Sequence, residues 1–584
     1  MCQVVAYCNC VYARLQRIKR PNGQVDEYVQ ILESYREGGK VRQKVIANLG
    51  NKQILKNQLP SLLKILKPSL FRDAASIEPA TALPYGVIFV VHQLFSQFHL
   101  WEILDGCSRS LGFADRVALL VANRLVFPTS EHGLGGWLET VYAVDRRAQR
   151  FLPVWKRRGR VKVDLSWLNQ FYRTLDILIA HKERIEKDLY LGLRDLFHLK
   201  VEMVFYDLTS TYFEGEGPTE IARYGYSRDG RAQNRQVLVG VVMVHGFPIA
   251  HHVFSGDLLD HETVEGVVED VGKRFELERV VFVGDRGMVT AKTLSVLKEK
   301  GQGYLLGLVR RRRQEVVRYI EAARGPEREC ALGITASEKA HSPRTWVWEV
   351  KGEEEGVRVF VVHSEEREAY ERAMRERSME RVRKQLEELK EQVAKGKLKN
   401  REKIGFHVAK VLSRHQGHRY FDWKLMKEGK FEYFEHPLHL EREKKIEGKY
   451  LIRTEERDLD AVEAVKRYKE LSEVERGFRS LKDVLEMRPI YHHKQSRVRA
   501  HIFVAALAFL LERVLERKLK EAGTDLSVTD ALQALATIGV VEFDVGGSSK
   551  VGVTPGSARA REVLRALGVS KAELLSQKHR RSAT

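Results

Sequence analysis

Asp207, in V-F-Y-D-L-T-S-T-Y-F, and Asp285, in V-V-F-V-G-D-R-G-M, each close a short apolar run. Glu475 lies far downstream in Y-K-E-L-S-E-V-E-R-G-F-R-S-L-K. Carboxylate oxygens are the ligands that hard divalent cations take. Two such cations about 4 Å apart can activate both the attacking and the leaving oxygen of a phosphodiester. Two aspartates at strand exits and a glutamate on a later helix are therefore a candidate metal cage, and the chemistry open to them is cleavage of a nucleic-acid backbone.

The rest of the chain suits such a substrate. Its 584 residues are 43% hydrophobic and 30% charged, the composition of a multi-domain globular protein rather than a disordered one. The net charge of +20 makes a polyanion the simplest partner, with an ordinary basic surface as the bland alternative. Five cysteines are too few and too scattered for a disulfide framework, which fits a reducing compartment, and Cys8-Asn9-Cys10 lacks the second pair a zinc site needs. The N-terminal stretch carries Arg14, Arg17, Lys19 and Arg20 without a signal-peptide core. The longest apolar run, 502–511, is too short to cross a bilayer and reads as a buried helix, so no membrane partner is expected.

The elements that must position the carboxylates can be read from periodicity. Residues 1–60 read as a small α+β unit, with strands over 28–35 and 41–49 and Lys40, Arg42 and Lys44 alternating along the second. Residues 80–198 are mostly helical, a candidate DNA-binding region with a basic linker over 146–162. Strands are expected at 201–206, 236–244 and 248–254, the last two forming a hairpin about His245-Gly246. After them come a helix over 261–275 capped by Asp260, a strand over 280–283, a helix over 291–300 and a strand over 304–309. This β-β-β-α-β-α-β order is α/β and is that of a ribonuclease-H-like core, with the first carboxylate on the first strand and the second at the end of the fourth. Residues 199–310 and 451–520 would be its two parts. Between the fifth strand and the glutamate helix lies a β-rich insertion, 311–450, with strands at 345–350, 357–363, 430–435 and 449–453. It also holds a charged helix over 365–397 whose seam is Met379, Val382, Leu386, Leu389 and Val393. The chain is thus multi-domain α+β overall, with 521–584 a small C-terminal region.

The glutamate helix is expected over 461–487, ending ahead of Pro489. At about 100° per residue, with Glu475 at zero, Tyr468 falls near +20°, Arg479 near +40°, Lys482 near −20° and Leu471 near −40°. Tyr468, Arg479 and Lys482 therefore share a line with the carboxylate, while Val474, Phe478, Leu481 and Leu485 form a buried stripe about 90° away. An ordinary amphipathic helix with an i,i+4 Glu–Arg pair would show the same pattern.

Together these segments resemble the DDE transposases of bacterial and archaeal insertion sequences, in the group with a β-rich insertion before the glutamate. Y-D-L-T-S-T-Y-F-E-G resembles the first-aspartate segment of that group. G-Y-S-R-D-G-R and V-F-S-G resemble the stretch between its two aspartates, and V-G-D-R-G-M resembles the second-aspartate segment. The third segment of that group carries Y-x2-R-x3-E-x6-K. Tyr468, Glu475 and Lys482 match it in type and spacing, whereas Leu471 stands at the arginine position, with Arg479 one turn beyond the glutamate as a candidate substitute. The resemblance covers roughly residues 200 to 520. It implies that Asp207, Asp285 and Glu475 are catalytic and hold two Mg²⁺ (Mn²⁺ could substitute), and that Tyr468, Arg479 and Lys482 contact DNA phosphates. It further implies cleavage at the ends of a mobile element and transfer of the 3′-OH into target DNA. The partners are then double-stranded DNA, as terminal inverted repeats and target, and a second copy in the synaptic complex. The place is the cytoplasm, at the nucleoid when DNA is bound. A nuclease of the same fold that cuts without joining, and an inert DNA-binding relic, remain open alternatives.

Other residues of chemical interest have structural readings. Asp229 in S-R-D-G and Asp257 after Gly256 are turn residues. His251 and His252 are packed or surface histidines. Trp346, Trp348 and Trp423 are core aromatics of the insertion, with base stacking as the functional alternative.

Overall fold

The computed structural model describes residues 10–20, 25–37, 40–57, 82–147, 149–151, 154–157, 160–163, 165–198, 203–276, 279–285, 290–308, 314–323, 327–329, 343–426, 429–545 and 548–570. Cys2, Cys8, Cys330, the Arg286-Gly287-Met288 stretch and residues 571–584 lie outside them. The chain divides into two compact units, residues 1–82 with 540–552, and the remainder.

The first unit holds an antiparallel sheet of β1 (Cys10–Lys19), β2 (Val25–Glu37) and β3 (Lys40–Asn51), in chain order. Sequence periodicity finds only the last two, because Arg14, Arg17 and Lys19 interrupt the apolar residues of β1. Lys40, Arg42 and Lys44 are exposed on β3.

The second unit opens with helices α1 (Gly86–Gln97), α2 (Phe113–Val126), α3 (Leu165–Ala180) and α4 (Lys182–Phe197). The expected basic linker contains a short hairpin, Val154–Arg157 paired with Arg160–Val163. β4 (Met203–Tyr212), β5 (Gln236–Val244) and β6 (Phe247–Ser255) form an antiparallel meander. The β5–β6 turn has positive φ at both His245 and Gly246, as a two-residue hairpin of matching twist requires. Then come α5 (Asp260–Phe275), β7 (Val281–Gly284), α6 (Ala291–Glu299) and β8 (Gly303–Gly307). Asp260 is the first residue of α5 rather than its cap, and binds Arg228 at 2.6 and 2.8 Å.

Residues of the expected insertion extend the same sheet. β9 (Arg328–Glu329), β10 (Thr345–Lys351), β11 (Arg358–Ser364) and, after the insertion's helices, β14 (Lys449–Thr454) continue it past β8. The nine strands run β9-β10-β11-β14-β8-β7-β4-β5-β6, a mixed sheet in which β4, β7 and β8 are parallel. β11 leads into α7 (Glu365–Ala394), which returns through α8 (Arg401–Arg414) and the hairpin β12 (Phe421–Leu425) and β13 (Phe431–Glu435). The seam Met379, Val382, Leu386 and Leu389 is buried there against Ile404, Val408, Leu412 and Phe431, so α7 forms half of a helical hairpin. Trp346, Trp348 and Trp423 are all half-buried, Trp346 stacked on His363.

One face of the sheet is sealed. Val204, Tyr206, Leu208, Leu238, Val242, Phe282 and Leu306 pack under Val264, Val267, Val268 and Val271 of α5. The alternating residues of β4, β7 and β8 therefore point to the opposite face. There lies the glutamate helix, α9 (Ala461–Arg479), succeeded by α10 (Gln495–Glu521), in which 502–511 forms the buried stretch expected of it.

Candidate active site

Strand register brings the two aspartates together. β7 pairs in parallel with β4 from Val281↔Met203 to Val283↔Phe205. Two residues further along each chain come Asp207, inside β4, and Asp285, one residue past the end of β7. On the other side, Gly284 pairs with Leu306, which sets Asp285 level with Gly307. Asp207 is not at a strand exit. It sits in the middle of the ten-residue β4, whose second half runs on past the shorter β7. Because Tyr206 and Leu208 point into the sealed core, Asp207 points to the face that α9 covers.

The helix is fixed at both ends. Asp460 caps its start, accepting from the Val462 and Glu463 amides at 3.0 and 3.4 Å. Arg358 of β11 donates to the carbonyls of Glu456 and Leu459 just before it, at 2.6 and 2.8 Å. Val474, Phe478, Leu481 and Leu485 are buried, as the apolar stripe requires, and so is Leu471. Gly477 lets α10 come close, since a Cβ there would lie 2.5 Å from the Phe509 ring. Glu475 is exposed on the side away from that stripe, and shares with Asp285, Tyr468 and Leu471 the lining of a cavity of about 670 Å³.

Asp207 feels the other two carboxylates. Burial pushes Asp207 up, and the charges of Asp285 and Glu475 push further; the amide of Leu208, at 2.8 Å, and Arg228 oppose them, leaving it at about 7. No ion pair involves Asp207, Asp285 or Glu475 among the described residues. An all-oxygen donor set under mutual repulsion fits a hard divalent cation, which would relieve that repulsion. Asp207, Asp285 and Glu475 are the residues that could hold it.

The other expected site residues divide. Tyr468 lies against β8: a Cβ on Gly307 would be 2.1 Å from its hydroxyl oxygen, so only glycine leaves room for the ring, which also stacks on Tyr450. Its hydroxyl is thus level with Asp285 and one strand over. Arg479 is exposed on the last turn of α9. It does not line the cavity, whereas Arg367 of α7 and Lys469 do. The helix passes at Ser480–Val484 into a π turn, which underwinds the chain and turns Lys482 toward Asp229. Its ammonium donates to Asp229 Oδ1 at 2.8 Å, and burial lowers its pKa despite that partner.

Asp229 is the residue that sequence reasoning underrated. It does occupy a turn, in which the amide of Arg231 donates to Ser227 Oγ at 3.0 Å. Yet its side chain is only 4% exposed, and it is bound by both Lys482 and Arg488. The signal available was G-Y-S-R-D-G-R itself, a chemically rich segment whose aspartate fills no obvious core position. His251 and His252 behave as packed residues: burial holds them at about 4 and about 3, and His251 is hydrogen-bonded to Glu186 at 2.7 Å.

No curated protein matches this chain. A solved structure, a cryo-EM structure of a piggyBac transposase synaptic complex with hairpin DNA, aligns over 73% of this chain and 70% of that one, at 9% identity and a TM-score of 0.32. Residues 15–75 match the family described as IS1634 family transposase, N-terminal domain. Residues 202–511, more than half of the chain, match the transposase DDE domain. That match spans both aspartates and the glutamate, and the chain belongs to the DDE transposases of insertion sequences.

Proposed function

We propose that Asp207, Asp285 and Glu475 are the catalytic carboxylates of this transposase, acting in a ribonuclease-H-like core on DNA that carries the element's terminal inverted repeats. The observation that carries the reading is the parallel β4–β7 ladder, two residues beyond whose last pair both aspartates stand, with the charges of both Asp285 and Glu475 acting on Asp207. The strand order β8-β7-β4-β5-β6, three antiparallel strands and then parallel ones, supports the ribonuclease-H-like core. DDE domains generally use divalent metal ions; two Mg²⁺ ions, or Mn²⁺, would activate the attacking oxygen and stabilise the leaving one. Asp207, Asp285 and Glu475 would bind and space those ions. Below about pH 7 Asp207 holds a proton when no metal is bound, and metal binding would displace it. Water attacks the phosphodiester at the element end and frees a 3′-OH, which then attacks a target phosphodiester, so that one bond forms as one breaks at each step. Tyr468 and Arg479 contact phosphates of the cut strand. Lys482, held on Asp229, positions the end of the glutamate helix. Two element ends call for two copies of the chain in the assembled complex.

Glu475→Gln should reduce Mg²⁺-dependent cleavage of end-bearing DNA by about 10³-fold, roughly 4 kcal/mol of transition-state stabilisation, while DNA binding persists. Full cleavage by this variant would remove Glu475 from the site.

A further inference from the structure

A second cavity, of about 740 Å³, lies between the loop 129–132 with Tyr172 on one side and the segment 486–501 on the other. Its floor is a buried polar network. Glu131 pairs with His492 at 3.3 Å, and Arg124 donates to His501 Nδ1 at 3.2 Å and to the Glu486 carbonyl at 3.1 Å. Glu131, His492 and His501 bring ligand-type atoms within 4.8 Å of one another. They do not make a cation site, because His501 accepts from Arg124 at Nδ1 and sets Nε2 against the Met487 carbonyl at 3.2 Å, and the Arg124 guanidinium already supplies the positive charge. The floor is charge-compensated and rigid.

The rim is cationic. Arg488, His493 and Lys494 come from the segment that joins the glutamate helix to α10, and Arg497 from the first turn of α10. Lys494 caps α10 without a side-chain hydrogen bond, and the first turn of that helix holds no acidic residue. Helix starts favour negative charge, and the first turn of this one supplies none of its own. Tyr491 stands 57% exposed beside it. The rim is also joined to the catalytic side of the molecule, because Arg488 shares Asp229 with Lys482.

We propose that this cleft grips the sugar–phosphate backbone of duplex DNA, as a second contact beside the strand at the carboxylates. The inference rests on the reading that this chain acts on DNA. Lys494 and the start of α10 take a phosphate, and Arg497, held by Asp176 at 2.9 and 3.0 Å, fixes the direction of approach. Lys482, Asp229 and Arg488 join the end of the glutamate helix to the segment that carries Lys494.

The test is duplex binding by the full chain in EDTA, titrated across salt. Lys494→Glu should weaken binding about tenfold and reduce the salt slope by about 1, the signature of one lost phosphate contact. Lys494→Arg should keep wild-type affinity. Lys520→Glu makes the same charge change at the far end of α10, about 40 Å away by helical rise, and should leave binding unchanged. Wild-type affinity and slope for Lys494→Glu would overturn the proposal, as would an equal loss for Lys520→Glu, which would assign the effect to net charge. Cleavage by Glu475→Gln is read separately: if that variant cleaves, the carboxylate assignment fails and the cleft still stands or falls on its own salt slope.

Discussion

Asp207 lies within β4 and Asp285 directly follows the neighbouring β7, whereas Glu475 sits on a helix that no ladder bond touches. For the aspartates, position along the strand is set by backbone hydrogen bonds, and facing is set by alternation against a sealed core. A one-residue slip would drive both carboxylates into that core. For the glutamate, facing depends on how the helix is clamped, at its start by Arg358 and the Asp460 cap and at its end by Lys482 and Arg488 on Asp229. The ladder half of the site is locally determined and stiff. The helical half depends on partners far away in sequence and is the place to perturb.

The largest effect on this contrast should come from Asp229→Ala. It leaves the half-buried cations Lys482 and Arg488 without their shared carboxylate, and losing one partner of such a pair costs about 3 kcal/mol. Denaturant unfolding should register that loss, and Asp229→Ala combined with Lys482→Met should recover part of it, since the two sites are directly coupled. Additive losses in the double variant would mean that the clamp does not exist. Gly307→Ala comes next. It puts a Cβ against the Tyr468 hydroxyl and, by overpacking, should cost about 2 kcal/mol. Tyr468→Phe in the same chain should relieve most of that cost, because the hydroxyl oxygen is the nearest atom. A Gly307→Ala protein as stable as wild type would show that the ring is not seated on β8.

The same contrast explains what could be read from the sequence. The strands β4 to β8 and both aspartates were legible because apolar runs and a two-residue hairpin turn encode them locally. The buried stripe of α9 was legible for the same reason. The role of Asp229 was not, because nothing in its own segment points to Lys482, more than two hundred residues on. Nor was the π turn, which shifts the phase of the helix after Arg479. The sheet neighbours of β14 were hidden too: antiparallel pairing of Thr454 with both Leu305 and Arg358 is a non-local choice that alternation within 449–454 cannot reveal. α8 went unnoticed because its buried positions Ile404, Val408 and Leu412 are thinly spaced among charges.

The smallest expected effect is a proton. Asp207 titrates at about 7 in the folded chain, against 3.8 for the unperturbed group. Between those values the folded state holds a proton that the unfolded state has lost, so the contribution of Asp207 to stability is present below about pH 4 and is lost as pH rises through about 7. Metal binding requires the ionised form and must expel that proton. Titration calorimetry of Mg²⁺ or Mn²⁺ in buffers of different ionisation enthalpy should therefore show close to one proton released per chain at about pH 6, and almost none at about pH 8. Asp207→Asn should release none at either. Equal release at both pH values would break the link between the ladder aspartates and the helix glutamate, because the raised value at Asp207 arises from burial together with the charges of Asp285 beside it and Glu475 above it.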